Sequence, residues 1–171
     1  MDEEQRSFLL HRFEEASARQ PGLVSLRRML LKLGGEEIVT RHEPDLDWLL
    51  AYGFLMSGQV QHQPTLESSC HENTANLWRS KSDEIVGIGT GYGLSDDGLW
   101  RQHSWMVCRD RLIETTEIRL KYFGILMQAQ LADAFADRSL SGPKTCVVAR
   151  EKIRNLLGAV SSVGRACRLH R

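Results

Sequence analysis

Apolar residues recur at helical spacing three times in the first third of the chain. Phe8, Leu9, Leu10, Phe13 and Ala16 predict an amphipathic helix from Asp2 to Arg19, with acids early and an arginine late, as the helix dipole prefers. Leu23, Leu26, Leu30, Leu31 and Leu33 predict a second helix, ended by Gly34-Gly35 and carrying Arg27, Arg28 and Lys32 on its other side. These two read as a cover or cap. Glu36 to Arg41 is weakly strand-like. Leu46, Leu49, Leu50, Phe54 and Leu55 then predict a third helix from Pro44 to Ser57, closed by Gly58.

Past Gly58 the pattern changes. Gln59 to Glu67 is polar and extended. Ser69 followed three residues later by Glu72 has the form of a capping box, which sets Cys70 as the first residue of a helix running through Ala75, Leu77 and Trp78 to about Lys81. Glu84 to Leu94 reads as a strand with glycines at 87, 89, 91 and 93. Their spacing fits no dinucleotide-binding loop. Spaced by two, they bare one face of the strand to another backbone or a substrate. Ser95 to Gly98 is a turn and Leu99 to Cys108 the returning strand. A three-residue loop with Gly98 left-handed pairs Ser95 with Leu99 and sets His103 opposite Gly91, leaving room there for the Cys70 helix; a two- or four-residue loop moves His103 to the other face. A two- or four-residue turn around Arg109-Asp110 puts Thr116 opposite His103, with Glu114 diagonal on the same face. After Glu117 the chain continues through Tyr122, Phe123, Ile125 and Leu126 into a helix from about Met127 to Arg138, broken by Ser141-Gly142-Pro143. Lys144 to Leu157 reads as strand then helix, and Ser161 onward as a frayed tail.

Composition narrows the classes. With 171 residues, the chain predicts one domain: a helical part (1–58), a core (59–126), C-terminal helices (127–160) and the tail (161–171). Apolar residues at 42% and charged residues at 26% are ordinary for a globular protein. Twenty-two basic residues against 22 acidic ones give no overall attraction to nucleic acid or an anionic membrane. The acidic start M-D-E-E-Q-R has no secretory character and no apolar run is long enough to span a bilayer, so a cytoplasmic location is expected, with neither nucleic acid nor membrane as partner. Cys70, Cys108, Cys146 and Cys167 form no C-x-x-C pair and are expected as free thiols.

The informative chemistry lies between Ser68 and Glu117. A thiol in the first turn of a helix sits by unpaired N–H groups and the positive dipole end, which favour the thiolate. His103 on a strand and Glu114 on the next complete the parts of an activated nucleophile: thiol, base and a group that orients the base.

C-H-E-N-T-A-N-L-W, H-S-W-M-V and I-E-T-T resemble the nucleophile helix, histidine strand and acid strand of the papain-like superfamily in its transglutaminase-like arrangement. G-Y-G-L-S-D-D-G-L-W-R-Q-H-S-W also resembles a stretch of a group of bacterial proteins of unassigned activity. The likeness covers about Gln59 to Glu117. It implies an α+β fold with a nucleophile helix packed on an antiparallel sheet, flanked by N- and C-terminal helices, and needs no cofactor or metal. It implies Cys70 as nucleophile, His103 as base and then acid, and Glu114 as the residue fixing the imidazole. The acid is Glu where Asp or Asn is commoner in the superfamily, and no aromatic follows the cysteine. The activity implied is acyl chemistry on a peptide or protein amide, as hydrolase, deamidase or acyltransferase. Gln61 or Gln63 is the candidate second oxyanion donor beside the Cys70 N–H, and Tyr92, Arg101 and Gln102 are candidate site-lining residues. Two other classes compete: zinc binding by Cys70, His71, His103, His62 or Cys108, and a non-catalytic interaction module using the leucine-rich second helix or the basic tail.

Overall fold

The computed structural model describes residues 2–141. In chain order these form α1 (Glu3–Arg19), α2 (Leu23–Leu33), β1 (Glu37–Ile38), α3 (Leu46–Tyr52), β2 (Phe54–Met56), β3 (Gln59–His62), α4 (Cys70–Arg79), β4 (Ile85–Leu94), β5 (Leu99–Cys108), β6 (Arg111–Glu114), β7 (Lys121–Met127) and α5 (Ala129–Leu140). The class is α+β. One sheet has the order β2-β7-β4-β5-β6-β3, with β1 also paired to β5. The strand and helix expected between Lys144 and Leu157, the tail from Ser161, and Cys146 and Cys167 lie outside the described residues.

The first two helices follow the apolar spacing. Asp2 caps α1, its Oδ1 accepting the Gln5 N–H at 2.7 Å. Gly34 and Gly35 end α2 in the left-handed region, at φ +121° and +81°. At Gly35 a Cβ would come within 2.9 Å of Gly98 O and Trp100 Nε1, so the glycine also lets α2 close down on the β4–β5 turn. Trp100 Nε1 donates to Gly34 O at 2.8 Å and fixes that contact.

Three expectations need correction. The third helix stops at Tyr52, not Ser57. A Cβ at Gly53 would lie 2.4 Å from Leu49 O and 2.6 Å from the Phe123 ring, so glycine is required there, and the next residues leave the helix to pair with β7. Lys121–Met127, for which spacing predicts no element, is that β7, lying between β2 and β4. Finally, the sheet is mixed rather than antiparallel, because β1 joins β5 and β3 joins β6 in parallel.

The β4–β5 hairpin adopts the three-residue loop. Ser95 N–H donates to Leu99 O at 3.0 Å, Gly98 stands at φ +78°, and Gly91 pairs with His103. The glycine-bared face is not where α4 packs, however. Trp105 lies across it: a Cβ at Gly89 would fall 2.2 Å from Trp105 Nε1, and one at Gly124 on β7 would fall 3.0 Å from Trp105 Cη2. Met56, Leu112 and Tyr122 cluster with that indole. The helix body packs on the opposite face, where Ala75 joins Ile88, Met106, Ile125 and Phe135 in the larger core and Thr74 Oγ1 donates to Ser104 O at 3.3 Å.

The edge of β5 turned away from β4 is shared. β1 occupies it at Leu99 and Trp100, and β6 at Met106 and Val107. Between them, no strand among the described residues lies alongside residues 101–105 on this edge. Beyond Ile113, β6 diverges from β5 and stays with the chain after β3, through Gln63 N–H to Glu114 O (2.8 Å) and Thr65 N–H to Thr115 O (3.0 Å). The sheet is split where His103 and Ser104 face Glu114 and Thr115, and the start of α4 enters the split.

Candidate active site

Ser68, just before α4, is left-handed at φ +57°, which costs of order 1 kcal/mol or more for a residue with a Cβ. Ser69 follows at φ −114°, ψ 36°, and its side chain does not cap the helix, so the capping box does not form. The first helical bond runs from Asn73 N–H to Ser69 O at 2.8 Å. The N–H groups of Cys70, His71 and Glu72 ahead of it thus have no intrahelical acceptor. Cys70, half-buried, stands at this open helix end.

Cys70 stands beside His103 and the Ser104 backbone N–H, the two neighbours that favour its thiolate. On the ring's far side, His103 Nε2 lies 2.6 Å from Glu114 Oε2; an ionised carboxylate only accepts, so Nε2 carries the proton and Nδ1 is left for Cys70. Glu114 is wholly buried. Its Oε2 also accepts from Tyr122 Oη at 3.1 Å, and its Oε1 from the Thr116 N–H (2.9 Å) and Oγ1 (3.1 Å). Trp105 stacks on the His103 ring with centroids 6.0 Å apart. The glycine strip therefore seats the indole that holds the imidazole.

Burial alone would push the Cys70 thiol up, yet the hydrogen bond and charge of His103, with the Ser104 N–H, leave it below the ordinary thiol range. For His103 burial likewise opposes charge, and the bonds to Cys70 and Glu114 outweigh it, raising the imidazole to about 9. Burial would raise Glu114 too, and His103 and Thr116 hold it below the usual carboxylate range. All three shifts favour one state: thiolate, imidazolium and carboxylate in a row.

The triad opens on a cleft of about 660 Å³ walled chiefly by polar and charged residues, Val39 being the one aliphatic residue among the described ones that line it. Arg101 and Gln102 line it, Arg101 held bidentately by Asp97 at 2.8 and 2.6 Å. Gln102 spends its amide hydrogens on His42 O (2.9 Å) and Glu43 Oε2 (2.8 Å). Tyr92 does not line the cleft; it is fully buried in the larger core, beside Glu43. Gln61 and Gln63 do not line it either. Gln61 is exposed on β3 opposite Ile113, and Gln63 continues the β3–β6 ladder outside the split.

His71 borders the cleft, its Nδ1 2.6 Å from Ser104 Oγ, which in turn donates to Thr90 Oγ1 at 3.0 Å. The protein packed around this ring and the neighbouring positive groups, His103 first, push it down to about 4, so it stays neutral. His62 Nε2 lies 2.5 Å from Thr116 O, and Cys108 is buried at the far end of β5. Among the described residues no three His, Cys, Asp or Glu side chains converge to hold a metal, and no helix is long and apolar enough to cross a membrane.

No protein-family model matches the chain, and neither a curated protein nor a solved structure matches it.

Sequence spacing did not single out Tyr122, Ser104 or Arg119. Tyr122 belongs to a strand that period alone does not predict, and Ser104 acts chiefly through its backbone N–H, which any residue carries. Arg119 reaches the cleft only because Gly93 on the neighbouring strand leaves it room. That glycine was the readable sign of a side chain crossing the strand.

Proposed function

We propose that this protein is a cysteine-dependent acyl-transfer enzyme of papain-like, transglutaminase-like type, acting on a peptide or amide carbonyl. The observation that carries the reading is the row of Cys70 beside His103, whose far nitrogen is bonded into the four-donor pocket of Glu114. A merely structural histidine needs no thiol on its second nitrogen.

The Cys70 thiolate attacks the carbonyl carbon, forming a C–S bond and an oxyanion, for which the uncapped N–H groups of the first turn of α4 are the available donors. His103 gives its Nδ1 proton to the leaving nitrogen as the C–N bond breaks, leaving a thioester and a neutral imidazole. Water, or an acceptor amine, then attacks the thioester while His103 takes its proton. The C–S bond breaks, and the product leaves with thiolate and imidazolium restored. Glu114 holds the ring by Nε2 throughout and stabilises its cationic form.

The test uses p-nitrophenyl acetate. The expected result is a burst of p-nitrophenolate matching the enzyme present, with an acetyl thioester found on Cys70 by mass spectrometry, both lost in Cys70→Ala and His103→Ala. An ester turned over equally well by Cys70→Ala would overturn the reading.

A further inference from the structure

One cation beside the triad has no part in that reaction. Arg119 lines the cleft with a side chain 11% exposed. A Cβ at Gly93 would meet Arg119 Cγ at 2.7 Å and His103 Cδ2 at 3.3 Å, so the arginine stem and the imidazole edge lie side by side over one bare residue. The guanidinium is anchored at one end only. Its Nη1 donates to Ser95 Oγ at 2.6 Å and to Glu117 Oε2 at 3.1 Å, using both hydrogens. Nε is buried without an acceptor, and among the described residues Nη2 has none either. Nε and Nη2 share the side-on edge of a guanidinium, the edge that takes a carboxylate through two parallel bonds.

The surroundings point the same way. Two other arginines line the cleft: Arg101 is already taken by Asp97 on two oxygens, and Arg41 is exposed, where a cation holds an anion weakly. Glu117 is 79% exposed, so its single contact satisfies little of Arg119. Glu67 and Asp96 also border the cleft and work against a general accumulation of anions. An anion held here is therefore selected by the fork, in the same cleft as the Cys70 sulfur. A buried donor without an acceptor is unfavourable unless something brings one.

We propose that Arg119 is the specificity-determining residue of the cleft: its Nε/Nη2 edge receives a carboxylate that the substrate carries near its reacting carbonyl, so the substrates are amides bearing such a carboxylate. This rests on Cys70 being the nucleophile.

The experiment compares alkylation of Cys70 by iodoacetate and iodoacetamide, reagents of similar size that differ in the carboxylate, with glutathione as the reference thiol. The expected iodoacetate-to-iodoacetamide rate ratio is roughly tenfold higher at Cys70 than at glutathione. In Arg119→Gln the ratio falls to the reference value with the iodoacetamide rate little changed, and Arg119→Lys, which keeps the charge without the fork, falls between. On the unaltered protein, N-acetylglycine slows iodoacetamide alkylation of Cys70 while N-acetylglycinamide does not. A ratio equal to that of glutathione, or equal protection by acid and amide, overturns the proposal while leaving the nucleophile in place. A Cys70 no faster than glutathione with both reagents overturns the nucleophile, and this proposal with it.

Discussion

Glu114 and Glu43 are both buried, and they reach adjacent residues of β5, His103 and Gln102. Burial pushes each carboxyl up. In Glu114 the imidazolium and the Thr116 donors overcome it, and the group lies below the usual range. Glu43 is pushed up to about 7: it has the Gln102 amide and the Asp45 N–H (3.1 Å), and the Asp45 charge works against it. Arg138, the nearby cation, is spent on Asp45 at 3.0 and 3.3 Å. Neutral donors alone do not keep a buried carboxyl ionised near neutral pH; a fixed cation with a full set of donors does. One carboxyl belongs to the row with His103 and Cys70, and the other shapes the wall beside it.

Removing the cation should make Glu114 behave like Glu43. In His103→Ala, Cys70 alkylation by iodoacetamide at pH 6.5, read site by site, is expected to slow by roughly tenfold or more as the thiol returns to its ordinary range. Urea unfolding at pH 8 should show a loss of about 3 kcal/mol, shrinking in acid where the stranded Glu114 takes a proton. An unchanged Cys70 rate would mean that His103 does not activate the thiol.

Glu114→Gln keeps the cation and removes its counter-charge. His103, raised to about 9, is imidazolium below that pH and loses its charge above it. Without the carboxylate that loss is expected at lower pH, by about a unit or more, and ring-proton NMR shifts followed from pH 6 to 10 would show it. Ester turnover should fall by on the order of 10²-fold. A ring that titrates as before would assign its raised value to Cys70 alone.

Glu43 gives the opposite sign. Its folded pKa lies above that of an unfolded glutamate, so the folded state loses stability as pH rises from about 4.5 to 7 and stays at the lower level beyond. Glu43→Leu removes the titration. Relative to that variant, the wild type should lose roughly 2 to 3 kcal/mol between pH 4.5 and pH 8 by urea unfolding. A difference independent of pH would show that Glu43 is held like Glu114 after all.

How much of this could be read in the sequence depends on the range of the interactions concerned. The first two helices and the β4–β5 hairpin rest on local signals: apolar spacing, glycine pairs, and Gly98 at a position that needs positive φ. That hairpin register alone places His103 opposite Gly91, and the short turn at Arg109-Asp110 brings Glu114 to the same face. The mixed sheet was not legible, because β1 and β3 join through contacts far apart in the chain. Phe54–Met56 looks helical until Gly53, tight against Leu49 and Phe123, is seen to stop the helix. S-S-C-H-E has the letters of a capping box, yet a left-handed Ser68 turns Ser69 away from that role and leaves the helix donors open. The glycine strip did signal a close approach. What approaches is the Trp105 ring, because α4 found its apolar partners on the other face.

The finest test of the contrast between the two carboxyls trims one donor and leaves the cation alone. Tyr122 Oη donates to Glu114 Oε2, the oxygen that also faces His103, and itself accepts the Arg119 N–H at 3.0 Å. Tyr122→Phe keeps the ring against Trp105, where the centroids are 5.0 Å apart, and removes one bond to a charged acceptor, a change worth about 1.5 kcal/mol. Glu114 keeps His103 and both Thr116 donors, so its titration should move upward only slightly and ester turnover should fall by roughly fivefold, far less than in Glu114→Gln. If the cation decides the state of the carboxyl, this small effect follows. A loss as large as that of Glu114→Gln would mean that the donors decide it together, and Glu43 would then be expected to ionise fully on gaining a further hydrogen bond without any new charge.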